Sequence, residues 1–118
     1  MYYIIATSSQ VDVLEKEGAL DFEWALEQLQ LEESKLVPVG LHEIVPNVVL
    51  FCDERAQYDQ EGFAFRLSSD EDRFGMKIFG SFIISALDPK AEDFFGLTDE
   101  QLKQLQFKMN IEPFTPYV

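Results

Sequence analysis

Two side chains in this sequence could serve as a neutral-pH nucleophile, base or soft metal ligand, and each occurs once. His42 is the single histidine and Cys52 the single cysteine. Any Ser-His-Asp, Cys-His or multi-histidine arrangement would have to include His42, which lies in a predicted loop between apolar segments. Cys52 ends an apolar run, where a thiol is typically buried and unreactive. We therefore predict that the protein is not an enzyme and has no cofactor.

The segment 70–75 begins like a calcium-binding loop. Asp70 and Asp72 occupy its first and third positions and Gly75 its sixth. The fifth position is Phe74, and Ser81 stands where the bidentate glutamate of such a loop is required. We therefore interpret this acidic segment as the solvated tip of a hairpin, and we predict no metal site.

Charge is the feature of the composition that departs most from an ordinary domain. The chain has 22 acidic and 9 basic residues, which gives a formal net charge of −13. Such a charge repels nucleic acid and anionic membranes, so we predict no direct binding to either. It can serve solubility alone, or it can steer the protein toward a basic protein partner.

The acidic residues are concentrated in three segments. The first, residues 12–33, carries eight carboxylates against the single Lys16. The other two, residues 53–61 and 70–72, are predicted connections, where binding residues are common. Tyr58, in the first of these connections, would supply a rigid anchor inside a charged rim. The candidate partner-binding residues are Asp53, Glu54, Tyr58, Asp59, Glu61, Asp70, Glu71 and Asp72.

These observations favour an acidic inhibitor that binds a basic protein stoichiometrically. An immunity protein that neutralises a toxin, for example a nuclease domain or another nucleic-acid-binding enzyme, is the first hypothesis. The alternative is an adaptor or regulatory module that docks through Trp24 or the apolar tail 113–118, with acidity serving solubility only. A small enzyme or ligand-binding domain is a third and weaker hypothesis.

Composition also gives expectations about compartment and domain number. A single cysteine allows no internal disulfide and favours the cytoplasm. The first seven residues lack the basic region of a signal peptide and are too short to span a membrane. No repeat or linker divides the chain, so we expect one globular domain over residues 1–118.

The first half of the chain alternates between predicted strands and helices. Residues 1–7 form a first strand, and the Ser9-x-x-Asp12 cap with Gly18 predicts a short helix over residues 10–17. Asp21 caps a longer amphipathic helix, and we expect Trp24, which lies beside the edge of its apolar stripe, to be buried. The remaining predictions are an edge segment at 36–40 containing Pro38, a central strand at 48–52 and a polar, non-helical connection at 52–62.

The second half begins with strands and ends with helices. Residues 63–68 alternate in polarity and predict a strand, and residues 74–87 predict a long return strand with a bulge or bend at Gly80. Asp88-Pro89 predicts a helix ending at Gly96, and Thr98 with Gln101 predicts the capping box of another. The expected fold is α+β, an antiparallel sheet of about four to five strands with helices near both termini, packed mainly on one face.

Overall fold

The computed structural model describes residues 1–8, 10–32, 34–69 and 74–114. Within these ranges the chain forms nine strands and three helices. The strands are β1 (Tyr2–Ala6), β2 (Val11–Glu15), β3 (Leu36–Gly40), β4 (Val48–Asp53), β5 (Ala64–Ser69), β6 (Phe74–Phe79), β7 (Phe82–Asp88), β8 (Asp93–Phe95) and β9 (Asn110–Phe114). The helices are α1 (Phe22–Gln28), α2 (Glu54–Asp59) and α3 (Asp99–Lys108).

The strands form two antiparallel sheets. The larger sheet has six strands, ordered β2-β1-β7-β4-β3, with β8 also paired to β7. The smaller sheet has three strands in the order β6-β5-β9. Consequently β7 lies between β1 and β4, and β2 and β3 form the two outer edges of the larger sheet.

The three central strands of the larger sheet are apolar on both faces because both faces are covered. Ile84 of β7 is aligned with Ile4 of β1 and Leu50 of β4, and all three side chains belong to one hydrophobic core. The preceding residue, Ile83, is aligned with Ile5 and Phe51, and these belong to a second core on the opposite face. This alternation is the period-2 geometry of a strand.

The first core lies between the two sheets and is also covered by α3. Phe65 of β5 meets Phe82 of β7 edge to face, with ring centroids 5.3 Å apart. Leu105 and Met109, at and just beyond the last turns of α3, complete this core. The predicted capping box starts α3, since Thr98 Oγ1 accepts from Gln101 N and Gln101 Oε1 accepts from Thr98 N.

The second core is covered by α1 on the other face of the larger sheet. Asp21 caps α1 by accepting hydrogen bonds from Glu23 N and Trp24 N, as the sequence predicts. Ala25 and Leu29 are buried in this core, while Trp24 is half-buried against Tyr3 with ring centroids 5.2 Å apart. The sheets and α1 thus form three layers.

The α+β character and the antiparallel pairing agree with the sequence, but the detailed prediction of the fold was wrong. The structure has more strands than the four to five expected, in two sheets, and the helices neither group near both termini nor share one face. No helix in the described ranges has both the length and the apolar composition needed to cross a bilayer.

Three segments adopt a different secondary structure from the predicted one. The expected helix at 10–17 is strand β2, because pairing with β1 overrides the local cap. The expected connection at 52–62 contains α2. Asp88 starts no α-helix: its carboxylate accepts from Lys90 N and Ala91 N as a cap would, but the chain turns at Glu92, whose φ is +53°, and enters β8.

The long strand predicted over residues 74–87 is divided at Gly80. Gly80 has a φ of +76°, a conformation that favours glycine, and the chain changes sheet there. The bend expected at this glycine is present, but β6 and β7 belong to different sheets instead of one continuous strand.

Candidate functional site

Five of the predicted partner-binding residues lie on or directly beside α2. Asp53 is the N-cap of this helix, and its Oδ1 accepts a hydrogen bond from Arg55 N at 3.1 Å. Its side chain is nearly buried, with the residue 9% exposed. Asp53 therefore positions the helix, and it does so from a nearly buried site.

A single glutamine fixes α2 to the junction between the two sheets. Gln57 Oε1 accepts from Phe79 N at 2.9 Å, and Gln57 Nε2 donates to the carbonyl oxygens of Phe79 and Asp53. A Cβ placed on Gly80 would lie 2.9 Å from Ala56 Cβ, so the helix packs closely on this glycine. These contacts hold α2 although it has no fully buried residue.

The outward face of α2 presents an exposed aromatic ring among paired charges. Tyr58 is 89% exposed. Glu54 Oε2 lies 3.7 Å from Lys35 Nζ, and Asp59 Oδ2 lies 3.5 Å from Arg55 Nε. Such exposed pairs contribute at most about 1 kcal/mol, but they reduce the local negative potential.

An open depression of about 610 Å³ lies beside Tyr58. Three acidic residues, Glu32, Asp53 and Glu54, and two basic residues, Lys35 and Arg55, line it. The surface that the sequence marks as acidic is therefore a mixed-charge concavity with a tyrosine at its rim. Glu61 is exposed on the connection that follows α2. The other three candidates, Asp70, Glu71 and Asp72, lie outside the described residues.

The fold also creates an acidic cluster that the sequence does not reveal, formed by Tyr2, Glu15, Glu17 and Asp99. Tyr2 is aligned with Glu15 in the β1–β2 pair, and a bridge between Tyr2 and Leu97 brings the start of α3 to the same place. Asp99, by its charge and a hydrogen bond, raises the pKa of Tyr2, and the charges of Glu15 and Glu17 raise it further. Only the strand register joins these three segments, so no local pattern could have found the cluster.

The residues that line the depression beside Tyr58 include neither of the two side chains with nucleophilic or ligating chemistry. His42 is exposed in the turn after β3. Cys52 is fully buried, as predicted, and burial raises the pKa of its thiol to about 11, so it is protonated at neutral pH. Among the described residues, no group of three or more His, Cys, Asp or Glu side chains could hold a metal ion.

The alternative docking residue Trp24 is largely engaged within the fold. Besides its contact with Tyr3, its ring lies under Lys16, whose Nζ is 5.2 Å from the ring centroid. Residues 113 and 114 of the apolar tail belong to β9, and residues 115–118 lie outside the described ranges. Comparisons of this chain with protein-family models, with curated proteins and with solved structures found no match.

Proposed function

We propose that the protein is a stoichiometric inhibitor of the immunity type, which binds a basic protein such as a toxin through the outward face of α2. The observation that carries this proposal is the exposure of Tyr58, 89%, on a helix that buries none of its residues. A helix of this kind adds little to the core. Its exposed tyrosine has the character of an interface anchor.

Preorganisation supports this assignment. The bonds from Gln57 to Phe79 and Asp53 fix the helix before any partner arrives. Ordering a flexible segment on binding would otherwise weaken the complex. The depression beside Tyr58 offers a place for a partner side chain, and its mixed charges suit a partner that carries both cations and hydrogen-bond acceptors.

Long-range charge and local contacts would have separate roles in such a complex. The net charge of −13 would attract a basic protein and speed association by roughly 10- to 1000-fold at low salt. The pairs Lys35–Glu54 and Arg55–Asp59 leave less charge at the contact surface itself. We therefore assign steering to the whole molecule and specificity to Tyr58 with its depression. A cytoplasmic location, suggested by the single buried thiol, is part of the proposal.

Site-specific photocrosslinking tests the proposal. A photoreactive phenylalanine analogue replaces Tyr58 in one variant and Phe107 in a control, because Phe107 is 86% exposed on α3 beside two lysines. In extracts of the source cells, position 58 should capture one basic protein that position 107 does not. Capture at both positions alike, or of an acidic protein, would contradict the proposal.

Binding of the purified pair completes the test. We expect a 1:1 complex by calorimetry and inhibition of the partner's own activity. Tyr58→Ala should weaken the complex by at least about thirtyfold, corresponding to a hot spot of about 2 kcal/mol. Phe107→Ala should leave the affinity unchanged. An adaptor without inhibitory function would bind the partner and leave its activity intact.

A further inference from the structure

Strand β2 is an outer edge of the larger sheet with unused backbone groups. Lys16 N donates to Met1 O and Thr7 N donates to Gln10 O, both at 2.9 Å. Hydrogen-bonded pairs alternate along an antiparallel ladder, so Asp12 and Leu14 also direct their backbone groups toward β1. Val11, Val13 and Glu15 consequently direct their N–H and C=O groups outward, and these groups have no other backbone partner among the described residues.

An apolar groove runs beside this free edge. Val11 and Val13 are 40% and 43% exposed, so both contribute apolar surface beside the free edge. Together with Leu105, Met109 and Ile111 they line a concavity of about 270 Å³ between the larger sheet, α3 and β9. The groove lies on the side of β2 that faces the first core, and it is continuous with the buried Ile4.

The opposite edge of the larger sheet, strand β3, is protected against pairing with a further strand, and the β2 edge is less protected. β3 carries Pro38, which has no N–H and discourages a further strand. β2 has no proline and reads Val-Asp-Val-Leu-Glu, with carboxylates at Asp12 and Glu15. Its carboxylates discourage pairing with another acidic strand, because like charges directly opposite one another are destabilising.

The side-chain order of β2 specifies the strand that would fit it. An antiparallel strand would place one residue opposite each of Glu15, Leu14, Val13, Asp12 and Val11 in turn. Charge and hydropathy complementarity then require the order cation, apolar, apolar, cation, apolar. The apolar residues opposite Val13 and Val11 would enter the groove, and the cations would face the carboxylates.

We propose that the β2 edge binds an extended segment of another protein with this basic and apolar pattern, as an added antiparallel strand. Main-chain hydrogen bonds would supply affinity and the alternating side chains specificity, as in other strand additions. A second copy of this chain is a poorer occupant, because it would bring another charge of −13 and offers acidic residues to acidic residues. This surface is separate from α2, so the inference does not depend on the function proposed above.

A synthetic peptide provides the test with the full chain. The probe is Lys-Val-Val-Lys-Val with serine at each end and a fluorescent label, followed by anisotropy. Counted within Lys-Val-Val-Lys-Val, the third and fifth residues direct their amides to β2 in the proposed register, and the second and fourth residues direct theirs away. N-methylation of the third and fifth should weaken binding by at least about tenfold, the loss of one or more hydrogen bonds. N-methylation of the second and fourth should leave binding unchanged.

Further controls test the charge of the peptide, the β2 edge of the protein and binding at the α2 surface. Replacing both peptide lysines by glutamate should abolish binding, and Val13→Lys in the protein should weaken it while circular dichroism stays native. Tyr58→Ala should have no effect, which separates this inference from the α2 proposal. Equal loss with both methylation patterns, or absence of saturable binding, would overturn the inference. So would a stable dimer of the unliganded protein that Val13→Lys dissociates.

Discussion

The two faces of the larger sheet differ in how completely they are covered. One face lies beneath a second sheet and α3, and there Phe82 is completely buried. The other lies beneath the seven residues of α1 and the chain around it. There Phe51 is 4% exposed, but Phe22, which it meets edge to face at 5.2 Å, is 42% exposed. Strands of equal apolarity therefore support one deep core and one shallow core.

The largest expected effect contrasts these two phenylalanines. Phe82→Ala should lower the free energy of unfolding by about 4–5 kcal/mol, because the rigid surroundings of the first core cannot collapse into the cavity. Phe51→Ala should cost about 3 kcal/mol, since Phe22 can shift inward and water can reach the site. Urea unfolding followed by circular dichroism measures both. Equal losses would show that the two faces are equally rigid.

The second prediction concerns pH and the thiol in the deep core. Burial raises the pKa of Cys52 from an ordinary 9.0 to about 11, so the folded state holds this proton more tightly than the unfolded state. The corresponding stability is fully present below pH 9 and is lost as pH rises to about 11. Two pKa units correspond to about 2–3 kcal/mol.

Cys52→Ala isolates that contribution. The variant will be less stable than the parent at pH 8 because it loses buried atoms, but the difference should narrow between pH 9 and 11. A constant difference over this range would mean that the thiol ionises as readily in the folded as in the unfolded protein.

The third prediction concerns the shallow core, where Tyr3 is completely buried and its hydroxyl has no hydrogen-bond partner among the described residues. Removing an unsatisfied polar group avoids its desolvation cost. Tyr3→Phe should therefore raise the free energy of unfolding by about 1–2 kcal/mol. Tyr2→Phe is the matched control, because Tyr2 is only half-buried and removal of its hydroxyl should give no such gain. Destabilisation by Tyr3→Phe would reveal a hydrogen bond to a bound water.

The smallest effects should come from the helix caps on the two faces. Asp21→Ala removes the acceptor for Glu23 N and Trp24 N, and Thr98→Ala removes half of the capping box of α3. Each should cost about 1 kcal/mol. Native-state hydrogen exchange should quicken in α1 for the first variant and in α3 for the second. If Asp21→Ala accelerates exchange in both helices, the two cores unfold as one unit.

Elements whose partners are near in sequence, or whose apolar pattern is continuous, were predictable. β1, β4, β5, α1 and α3 follow directly from runs, alternation and caps. Cys52 could be predicted as buried because it ends the run of β4. Pro38 likewise indicated the edge position of β3, since a residue without an N–H cannot contribute fully to a central ladder.

The wrong secondary-structure predictions occurred where one local sequence pattern is compatible with two structures. An aspartate carboxylate that accepts from the next backbone amides can start a helix, as Asp21 does, or close a turn, as Asp88 does. Val11 and Val13 have the period-2 spacing of a strand, but the cap pattern around them favours a helix. Pairing with β1 stabilises the strand instead. α2 has no apolar stripe to recognise; instead, the side chain of Gln57 holds it through hydrogen bonds to backbone atoms of Phe79 and Asp53.

The candidate site was predictable only in part. The clustering of Asp53, Glu54, Tyr58, Asp59 and Glu61 follows from their nearness in sequence, but their roles differ. Only the folded structure shows that Asp53 is a cap and that Lys35, from another segment, pairs with Glu54. The Tyr2 cluster and the groove beside β2 depend on strand order, which single-sequence patterns do not contain.

The position of β7 between β1 and β4 imposes an order on how this protein can form during synthesis. Its two neighbours are made first, and each must remain without its central partner until residues 82–88 have left the ribosome. During that interval β1 and β4 expose apolar edges of the kind that associate with other nascent chains. Folding should therefore be late and slow, because its decisive contacts join distant parts of the chain.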